Sequence, residues 1–484
     1  MPFSRFPQSP PSRPGLRWTL LLAAAALAGC VSVPTPDLQA DVPAQWSNAA
    51  PGATAPAPAE WWKAFADPQL DGLVEQALAG NLTIAEAHAR LQAARKLHDV
   101  ANAPYLPNLG FRTRDAVAAD ASSSYFQAGF DATWEFGLFG RSEGAERQAR
   151  ASVDAAAATL QGARVSVAAE VVRAWRELRS AQARQQLLKE AVTLQERQVQ
   201  LISLRERTRL ASRVDVERTQ AALEQARASL ADPGLAVRQS ALKLAVLLGR
   251  HEPDPAWLRM PAPAVSPPAL AAITSTPADM LRTRPDVQMA QARVLDAAGA
   301  LGIARADLYP RLGIGGSLTV ASNFANNFNR RNTPTYTQTI FSLGPLIDIP
   351  LFDWGQRQAA AHARGDELDA ALLAYRQAVL EGLSEAESAL IELDQYRQRR
   401  EAEELALRAI GRAADHAGRL AASKLSSEFD NADLASRRIQ AQLALSATTL
   451  AEDLAFISLH KAVGGAPAWR GEEPSSTAAA PHNN

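Results

Sequence analysis

The stretch MLRTRPDVQMAQARVLDAAGALGIARADLYPRLGIGGSL, residues 280–318, decides the fold because it repeats an earlier part of the chain. Its apolar residues follow helical spacing as far as Tyr309-Pro310, and alternating residues come next. The earlier copy, NLTIAEAHARLQAARKLHDVANAPYLPNLGF at residues 81–111, changes in the same way at Pro107. The two stretches align without a gap at an offset of 203 residues (284 − 81).

The duplication extends over most of the chain. Gly249 and Gly464 close the two halves at an offset of 215 (464 − 249), so the second copy has gained residues in its loops. The sequence pattern of each half predicts, in order, a helix, two strands, a very long helix, a turn and a further helix. We place the first structural repeat at 60–265 and the second at 266–468. Two copies indicate a tandem duplication, because a solenoid needs more repeats.

Composition excludes several classes of function. The chain has 50 basic and 51 acidic residues, which gives no electrostatic case for a nucleic-acid partner. One cysteine excludes an intramolecular disulfide and cysteine-only metal sites. The seven histidines are scattered, and neither a nucleophile elbow nor a phosphate loop is present. We therefore predict no enzyme, no metal site and no cofactor.

The N-terminus has the pattern of an export signal. Residues 1–29 combine arginines with an apolar core of about 11 residues, shorter than the ~20 that a spanning helix needs. Leu27-Ala28-Gly29-Cys30 resembles the bacterial lipobox, in which the cysteine becomes the lipidated first residue. An ordinary cleavage site beside a chance cysteine is the alternative. Val31 follows instead of the aspartate that signals inner-membrane retention, so this resemblance favours the outer membrane.

Two flanking segments lack the composition of a folded core. Residues 30–59 are rich in proline and alanine and predict an extended, lipidated tether. Residues 469–484 are polar and predict a disordered tail. Just after the tether, Asp67-Pro68 is a helix start signal, and we predict one continuous helix from there through Ala94. Trp61-Trp62 predicts core packing, with a ligand platform as the alternative.

The strands alternate between two kinds of side chain. Residues 125–136 place aromatic and small apolar residues at even positions and polar residues or glycine at most odd ones. About 12 residues suit a tilted transmembrane strand, which needs ~9–11, although a soluble hairpin would alternate similarly. The second copy has a matching strand at 312–320, with partner strands near 109–117 and 336–343. Four strands cannot close a barrel, so a membrane-spanning interpretation requires several chains.

Very long helices are the other unusual feature. Residues 144–209 contain no proline, and ~65 helical residues would extend on the order of 100 Å. A similar run follows at 355–424, and apolar positions at threes and fours predict side-by-side helix packing. Returning helices are predicted at 214–248 and 428–463, the first of them broken at Asp232-Pro233-Gly234.

Several motifs in this order resemble the TolC family of outer-membrane efflux proteins, in particular its OprM/NodT-type lipoproteins. The residues that carry the resemblance are Trp61-Trp62 with Phe65 and Asp67-Pro68, Asn81-Leu82 with Ala85 and Ala87, Arg284-Pro285-Asp286-Val287, Ala306-Asp307-Leu308-Tyr309-Pro310 and Pro350-Leu351-Phe352-Asp353-Trp354-Gly355. The family implies an α+β membrane protein that forms a homotrimer. Each chain would give four strands to a 12-stranded outer-membrane β-barrel, continuous with a periplasmic α-helical barrel.

The resemblance also implies the function and the partners. The chain would be the passive exit duct of a tripartite efflux pump that carries small molecules, anchored in outer-membrane lipid and extending into the periplasm. Its partners would be a periplasmic membrane-fusion (adaptor) protein and an inner-membrane RND-type pump. A conduit for type I protein secretion and a periplasmic coiled-coil lipoprotein without a pore are the alternatives.

The family further implies a gate where the helices turn at the periplasmic tip. Its pore carboxylates match Asp430 and Asp433 in the second repeat and Asp215 in the first, although Asp215 also suits a helix N-terminus. Where the family usually carries glycine before each turn, this chain has Arg209 and Lys424. We expect these cations, with Arg213, to lie at the tip and to be available for pairing with the gate carboxylates.

Overall fold

A computed structural model of the chain describes residues 33–34, 36–38, 42–48, 59–116, 125–259, 268, 276–323, 337–423 and 428–465. The predicted signal peptide, Cys30, most of the tether, Lys424 and the predicted tail lie outside these ranges. In the first half the elements are α1 (Pro68–Gly80), α2 (Leu82–Asp99), β1 (Asn108–Ala116), β2 (Tyr125–Glu135), α3 (Arg141–Arg207), α4 (Arg213–Ala228), α5 (Ala231–Leu247) and α6 (Pro255–Arg259). In the second half they are α7 (Pro277–Thr283), α8 (Pro285–Ala306), β3 (Arg311–Asn323), β4 (Thr337–Asp348), α9 (Gln356–Ala422) and α10 (Glu428–Ala462).

The chain divides into two compact units, each containing parts of both predicted repeats. The first unit comprises Met1–Leu38, Ala94–Val153 and Ala292–Leu373, and the second comprises the remaining segments. The repeat boundaries at 60–265 and 266–468 therefore stay a prediction.

The first unit contains one antiparallel sheet with the strand order β1-β2-β3-β4. At the base of the first hairpin Asn108 faces Thr133, and at the base of the second Arg311 faces Asp348. These pairs are related by the offsets of 203 (311 − 108) and 215 (348 − 133) found in the sequence. The 12 additional residues (215 − 203) of the second copy therefore lie between Arg311 and Asp348.

The sheet has one polar and one apolar face, because neighbouring residues of a strand point to opposite sides. The register places Arg112, Asp131, Ser317 and Asp348 on one face. The other face carries large apolar side chains from all four strands: Leu109, Phe111, Phe126, Phe130, Trp134, Ile314, Leu318, Val320, Phe341, Leu343 and Ile347. All of these apolar side chains are exposed in the isolated chain, including Phe111 and Phe130, whose rings make an edge-to-face contact at 5.2 Å between centroids.

A left-handed turn connects each second strand to its long helix. Phe139-Gly140 has φ values of 59° and 84°, and Trp354-Gly355, 215 residues later, has 54° and 80°. Phe139 stacks on Tyr309 at 5.0 Å between ring centroids. An aromatic residue at positive φ is strained, so this packing offsets a cost that the turn imposes.

The second unit is built around buried tryptophans. Trp61 and Trp62 are only 2% and 1% exposed, which confirms core packing rather than a ligand platform. Trp61 stacks on His460 at 5.1 Å and donates a 2.9 Å hydrogen bond from Nε1 to the Gly465 carbonyl. Burial lowers the pKa of His460 to about 4, so this imidazole is neutral at physiological pH.

The prediction of one continuous helix after Asp67 is wrong, although Asp67 does cap α1. The chain leaves the helix at Asn81 (φ −70°, ψ 129°), whose Oδ1 accepts hydrogen bonds from the backbone N–H groups of Thr83 and Ile84. The amide side chain thus caps a second helix instead of continuing the first. The second copy breaks at the equivalent Arg284, because Pro285 disfavours helical backbone in the residue before it.

The first returning helix is interrupted as predicted, but the break lies at Ser229-Leu230, just before the predicted Asp232-Pro233-Gly234. Helix α4 ends at Ala228, and α5 begins at Ala231 with Pro233 in its first turn, whereas α10 is unbroken. None of the helices in the described part of the chain combines the length and apolar character that a membrane-crossing helix needs.

Candidate functional site

At the turn between α3 and α4, Arg209 ends the long helix in the left-handed conformation that glycine usually occupies. This residue has φ 61°, its N–H bonds to the Glu206 carbonyl at 2.9 Å, and the Leu210 N–H bonds to the Arg205 carbonyl at 2.8 Å. The two bonds form a Schellman motif, in which the left-handed position favours glycine. The geometry of the turn is thus retained by a residue that this backbone disfavours.

Replacing Arg209 by glycine should stabilise this turn by about 1 kcal/mol, because a side chain in the left-handed region costs about that much. We expect hydrogen exchange at residues 205–212, measured by mass spectrometry, to slow about fivefold. Arg207→Gly is the matched control: it places glycine in helical backbone and should speed exchange. Equal effects of both variants would contradict the assignment of strain to Arg209.

Asp215 lies in the first turn of α4, in a reciprocal capping box with Ser212. The Asp215 N–H donates to Ser212 Oγ at 3.2 Å, and the Ser212 N–H donates to Asp215 Oδ2 at 3.1 Å. Hydrogen bonds from the Ser212 hydroxyl and backbone lower the pKa of Asp215. Its carboxylate therefore has a helix-capping role in the single chain, and a pore role stays a prediction.

The second turn lies only partly within the described residues. Asp430 is in α10, which begins at Glu428, and Asp433 is exposed and accepts a 2.9 Å hydrogen bond from Arg437 Nε. Glu428 pairs with Arg197 of α3 at 3.1 Å. The beginning of α10 is thereby tied to the long helix of the other repeat.

Among the described side chains, neither Arg209 nor Arg213 forms an ion pair with Asp215 or Asp433, and Lys424 lies outside the described residues. Arg213 pairs with Glu217 at 3.3 Å, and Asp215 has Arg218 at 3.7 Å. These groups are exposed, so each pair contributes little to stability and leaves the carboxylates able to act on mobile ions. Such an acidic rim would attract cations and repel anions, provided that neighbouring chains narrow the opening.

Two buried carboxylates of α10 were missed by the sequence analysis. Asp453 accepts hydrogen bonds from Arg176 at 2.6 and 2.7 Å, and Glu452 accepts one from Arg400 at 2.5 Å. Both acids are 0% exposed. The signal in the sequence is an acidic pair inside a largely apolar helical stretch, residues 449–463. Buried pairs of this kind join α10 to both long helices.

The stability of the second unit should depend on the protonation of Asp453. Burial raises the pKa of Asp453 to about 7, although the charge and hydrogen bonds of Arg176 oppose this and the neighbouring Glu452 adds to it. The folded chain therefore retains a proton that the unfolded chain releases near pH 4. Stability should fall as the pH rises from about 4 to about 7, by at most about 4 kcal/mol.

Thermal unfolding of the wild type and of Asp453→Asn between pH 4.5 and 8 measures this contribution as a difference. In Asp453→Asn, the part of the decrease in unfolding midpoint with rising pH that Asp453 causes should disappear. Asp394→Asn, which changes an exposed acid of α9, should keep the full decrease. Parallel pH profiles for the wild type and Asp453→Asn would contradict the prediction.

The breaks between helices form a second pair of junctions that the motifs did not reveal. Asn81 Nδ2 donates to the Leu247 carbonyl at 2.8 Å, and Arg284 Nη1 donates to the Ala462 carbonyl at 2.9 Å. The two donor residues are 203 positions apart (284 − 81), and the two acceptor residues are 215 apart (462 − 247), which are the offsets of the duplication. In each half, a buried side chain at the break therefore holds the C-terminal end of a returning helix, α5 in the first half and α10 in the second.

Within the described ranges, no group of three or more histidine, cysteine, aspartate or glutamate side chains could hold a metal ion. The polar features of the molecule are instead helix caps, ion pairs and a two-faced sheet. The sequence model of the outer membrane efflux protein family matches residues 73–250 and 276–465, which is more than half of the chain. The chain belongs to this family.

Individual relatives agree over nearly the whole length. The chain is 28% identical over 481 residues to the pyoverdine export outer membrane protein OpmQ of Pseudomonas putida, covering 94% of this chain and 98% of the relative. It is 28% identical over 477 residues to outer membrane protein OprJ of Pseudomonas aeruginosa, covering 94% and 96%. The solved outer-membrane channel OprN superposes with a TM-score of 0.74 at 27% identity, covering 90% of this chain and 99% of that one.

The family resemblance predicted from the motifs is thus confirmed, including its OprM/NodT branch, since nodulation protein T of Rhizobium leguminosarum is also a relative. This chain is therefore an efflux channel that is located in the outer membrane and extends into the periplasm. The family consists of efflux channels rather than enzymes.

Proposed function

We propose that three copies of this chain form the exit duct of a tripartite pump, with a 12-stranded barrel in the outer membrane and a helical duct in the periplasm. The observation that carries this proposal is the four-stranded sheet with one apolar and one polar face. Strands β1 and β4 are its edges, and neither has a further strand beside it within the described residues. Open edges are not tolerated in a bilayer, so further copies must pair with them.

The duct would be passive and would depend on other proteins for energy. By its family, the chain would meet a periplasmic adaptor and an inner-membrane RND-type pump. The names of the relatives, which include pyoverdine export and toluene efflux proteins, support small molecules as the cargo. Type I protein secretion stays the second candidate, whereas membership of a channel family argues against a coiled-coil lipoprotein without a pore.

We propose two further features of the duct. Cys30 would carry acyl chains that anchor the mature N-terminus in outer-membrane lipid, which the lipobox-like sequence supports. Asp430 and Asp433, with Asp215, would line a gate at the helix turns. The exposed carboxylate of Asp433 and the position of Asp430 in the first turn of α10 support this role.

Conductance of the purified protein in planar bilayers tests the duct. We expect discrete channels from the trimer, and a folded trimer without channels would contradict the proposal. Deleting the gene and comparing sensitivity to drugs, solvents and metals with the profile of secreted proteins would distinguish small-molecule efflux from protein secretion.

A further inference from the structure

The duplication relates the contact between β2 and β3, inside one chain, to the two open edges of its sheet. An offset of 215 carries β2 onto β4, and an offset of 203 carries β1 onto β3. Both hairpins obey these offsets at their bases. The contact of β2 with β3 therefore has a counterpart between β4 of one copy and β1 of another.

We propose that β4 pairs antiparallel with β1 of a second copy in the register that places Ile349 opposite Phe111. The inference rests on the proposed trimer and specifies how its subunits join. It follows from Trp134, which faces Ile314 inside the chain. Applying the two offsets to this pair gives Ile349 (134 + 215) and Phe111 (314 − 203). An aromatic side chain would thus face an aliphatic one at both places.

The side chains at the mapped positions are apolar and exposed, as an unfilled interface requires. Inside the chain, the Phe136 N–H bonds to the Leu312 carbonyl at 3.0 Å, and Phe139 stacks on Tyr309. Their counterparts are Leu351 with Leu109, and Trp354 with Leu106. Six apolar side chains on the two edges are between 53% and 89% exposed in the isolated chain: Leu106, Leu109, Phe111, Ile349, Leu351 and Trp354.

Charge favours the same register. Thr133 faces Gly315 inside the chain, and the mapped pair is Asp348 with Arg112 of the second copy. Both lie on the polar face, and within its own chain Arg112 is 3.8 Å from Asp131. A slip of one residue would turn the apolar face of one strand toward the polar face of the next. A slip of two in one direction would place Gly110 opposite Asp348, whereas a slip of two in the other would place Arg114 there, so charge disfavours only the first of these slips.

The correspondence ends where the helices begin. Inside the chain Arg141 pairs with Asp307, but the mapped positions hold Gln356 and Pro104, which cannot form an ion pair. The subunit contact in this unit is therefore assigned to the strands and to the turn at Trp354.

Disulfide trapping in the full-length protein tests the register. A chain with Phe111→Cys and Ile349→Cys, purified as the trimer and oxidised, should give covalent dimers and trimers on denaturing gels. Directly opposed residues have Cβ atoms about 4.5–5.5 Å apart, close to what a disulfide needs, whereas diagonal pairs lie about 7–8 Å apart. Two diagonal pairs serve as register controls: Phe111→Cys with Ile347→Cys, and Thr113→Cys with Ile349→Cys. Both should cross-link about fivefold less than the opposed pair.

The outcomes separate this inference from the proposed function. If the protein is a trimer in which a control pair cross-links more than the pair at Phe111 and Ile349, the proposed register is wrong, but the proposed duct is unaffected. Material that is properly folded and monomeric overturns the duct itself. If the cysteine pair does not assemble, charge reversal decides: Asp348→Arg should lower the temperature at which the trimer dissociates, and adding Arg112→Asp should restore it. Loss without restoration would overturn the proposed pair.

Discussion

Replacing Asp453 by alanine at pH 8 should destabilise the folded chain by about 3–5 kcal/mol, because Arg176 would remain buried without its carboxylate. For a chain of this length the midpoint of thermal unfolding should fall by about 4 °C. The side chain of Arg176 is only 7% exposed, and its guanidinium also lies 4.7 Å from the centre of the Phe65 ring. It has little access to water that could replace the lost partner.

The double variant Arg176→Met with Asp453→Leu is the matched control. It removes both charges and retains apolar volume, so its unfolding midpoint should lie close to that of the wild type. Circular dichroism of the detergent-solubilised protein measures both variants. An equally large loss in the double variant would show that the pair is needed for more than mutual neutralisation.

Replacing Asp430 and Asp433 by alanine should raise single-channel conductance at least about twofold and lower the preference for cations, because the narrow opening would lose its acidic rim. Asp433 pairs with Arg437, but both side chains are exposed, so the pair is weak and the Asp433 carboxylate can also act on passing ions. Planar-bilayer recordings of reversal potential and conductance measure both effects.

Asp394→Ala provides the control for this experiment, since it removes an exposed acid of α9 that is 28 residues from the end of the helix (422 − 394). It should leave conductance and selectivity unchanged. If the gate variant and the control behave alike, Asp430 and Asp433 do not control ion passage. Asp215→Ala, tested in parallel, would separate a pore role from helix capping.

The duplication made most of the fold predictable. The offsets of 203 and 215, read from Asn81, Arg284 and the two closing glycines, reappear as the registers of both hairpins. Asp67 and the tryptophans could be assigned because start signals and large apolar side chains act locally. The edge strand β4 alternated less clearly, since Gly344 and Pro345 interrupt the alternation of polar and apolar side chains within the continuous strand.

The features that the sequence did not reveal depend on contacts between distant residues. Periodicity continues across Asn81, and only the capping bonds of its side chain show that the helix ends there. Arg176 and Asp453 are 277 residues apart, so neither identifies its partner in the sequence. At the candidate gate the sequence located the turns, but the strained backbone of Arg209 required a structure.

The junctions at Asn81 and Arg284 limit how the two halves of the gene could be recombined. Arg284 is neutralised by Asp286 and Glu385, with nitrogen–oxygen distances of 2.5 and 2.8 Å. At the place of Asp286 the first half has Thr83 (286 − 203). A hybrid carrying the first half twice would give up the guanidinium along with its acidic neighbour, whereas an arginine moved alone into the first half would lack that neighbour. Arg284 and Asp286 can therefore be exchanged between the halves only as a set.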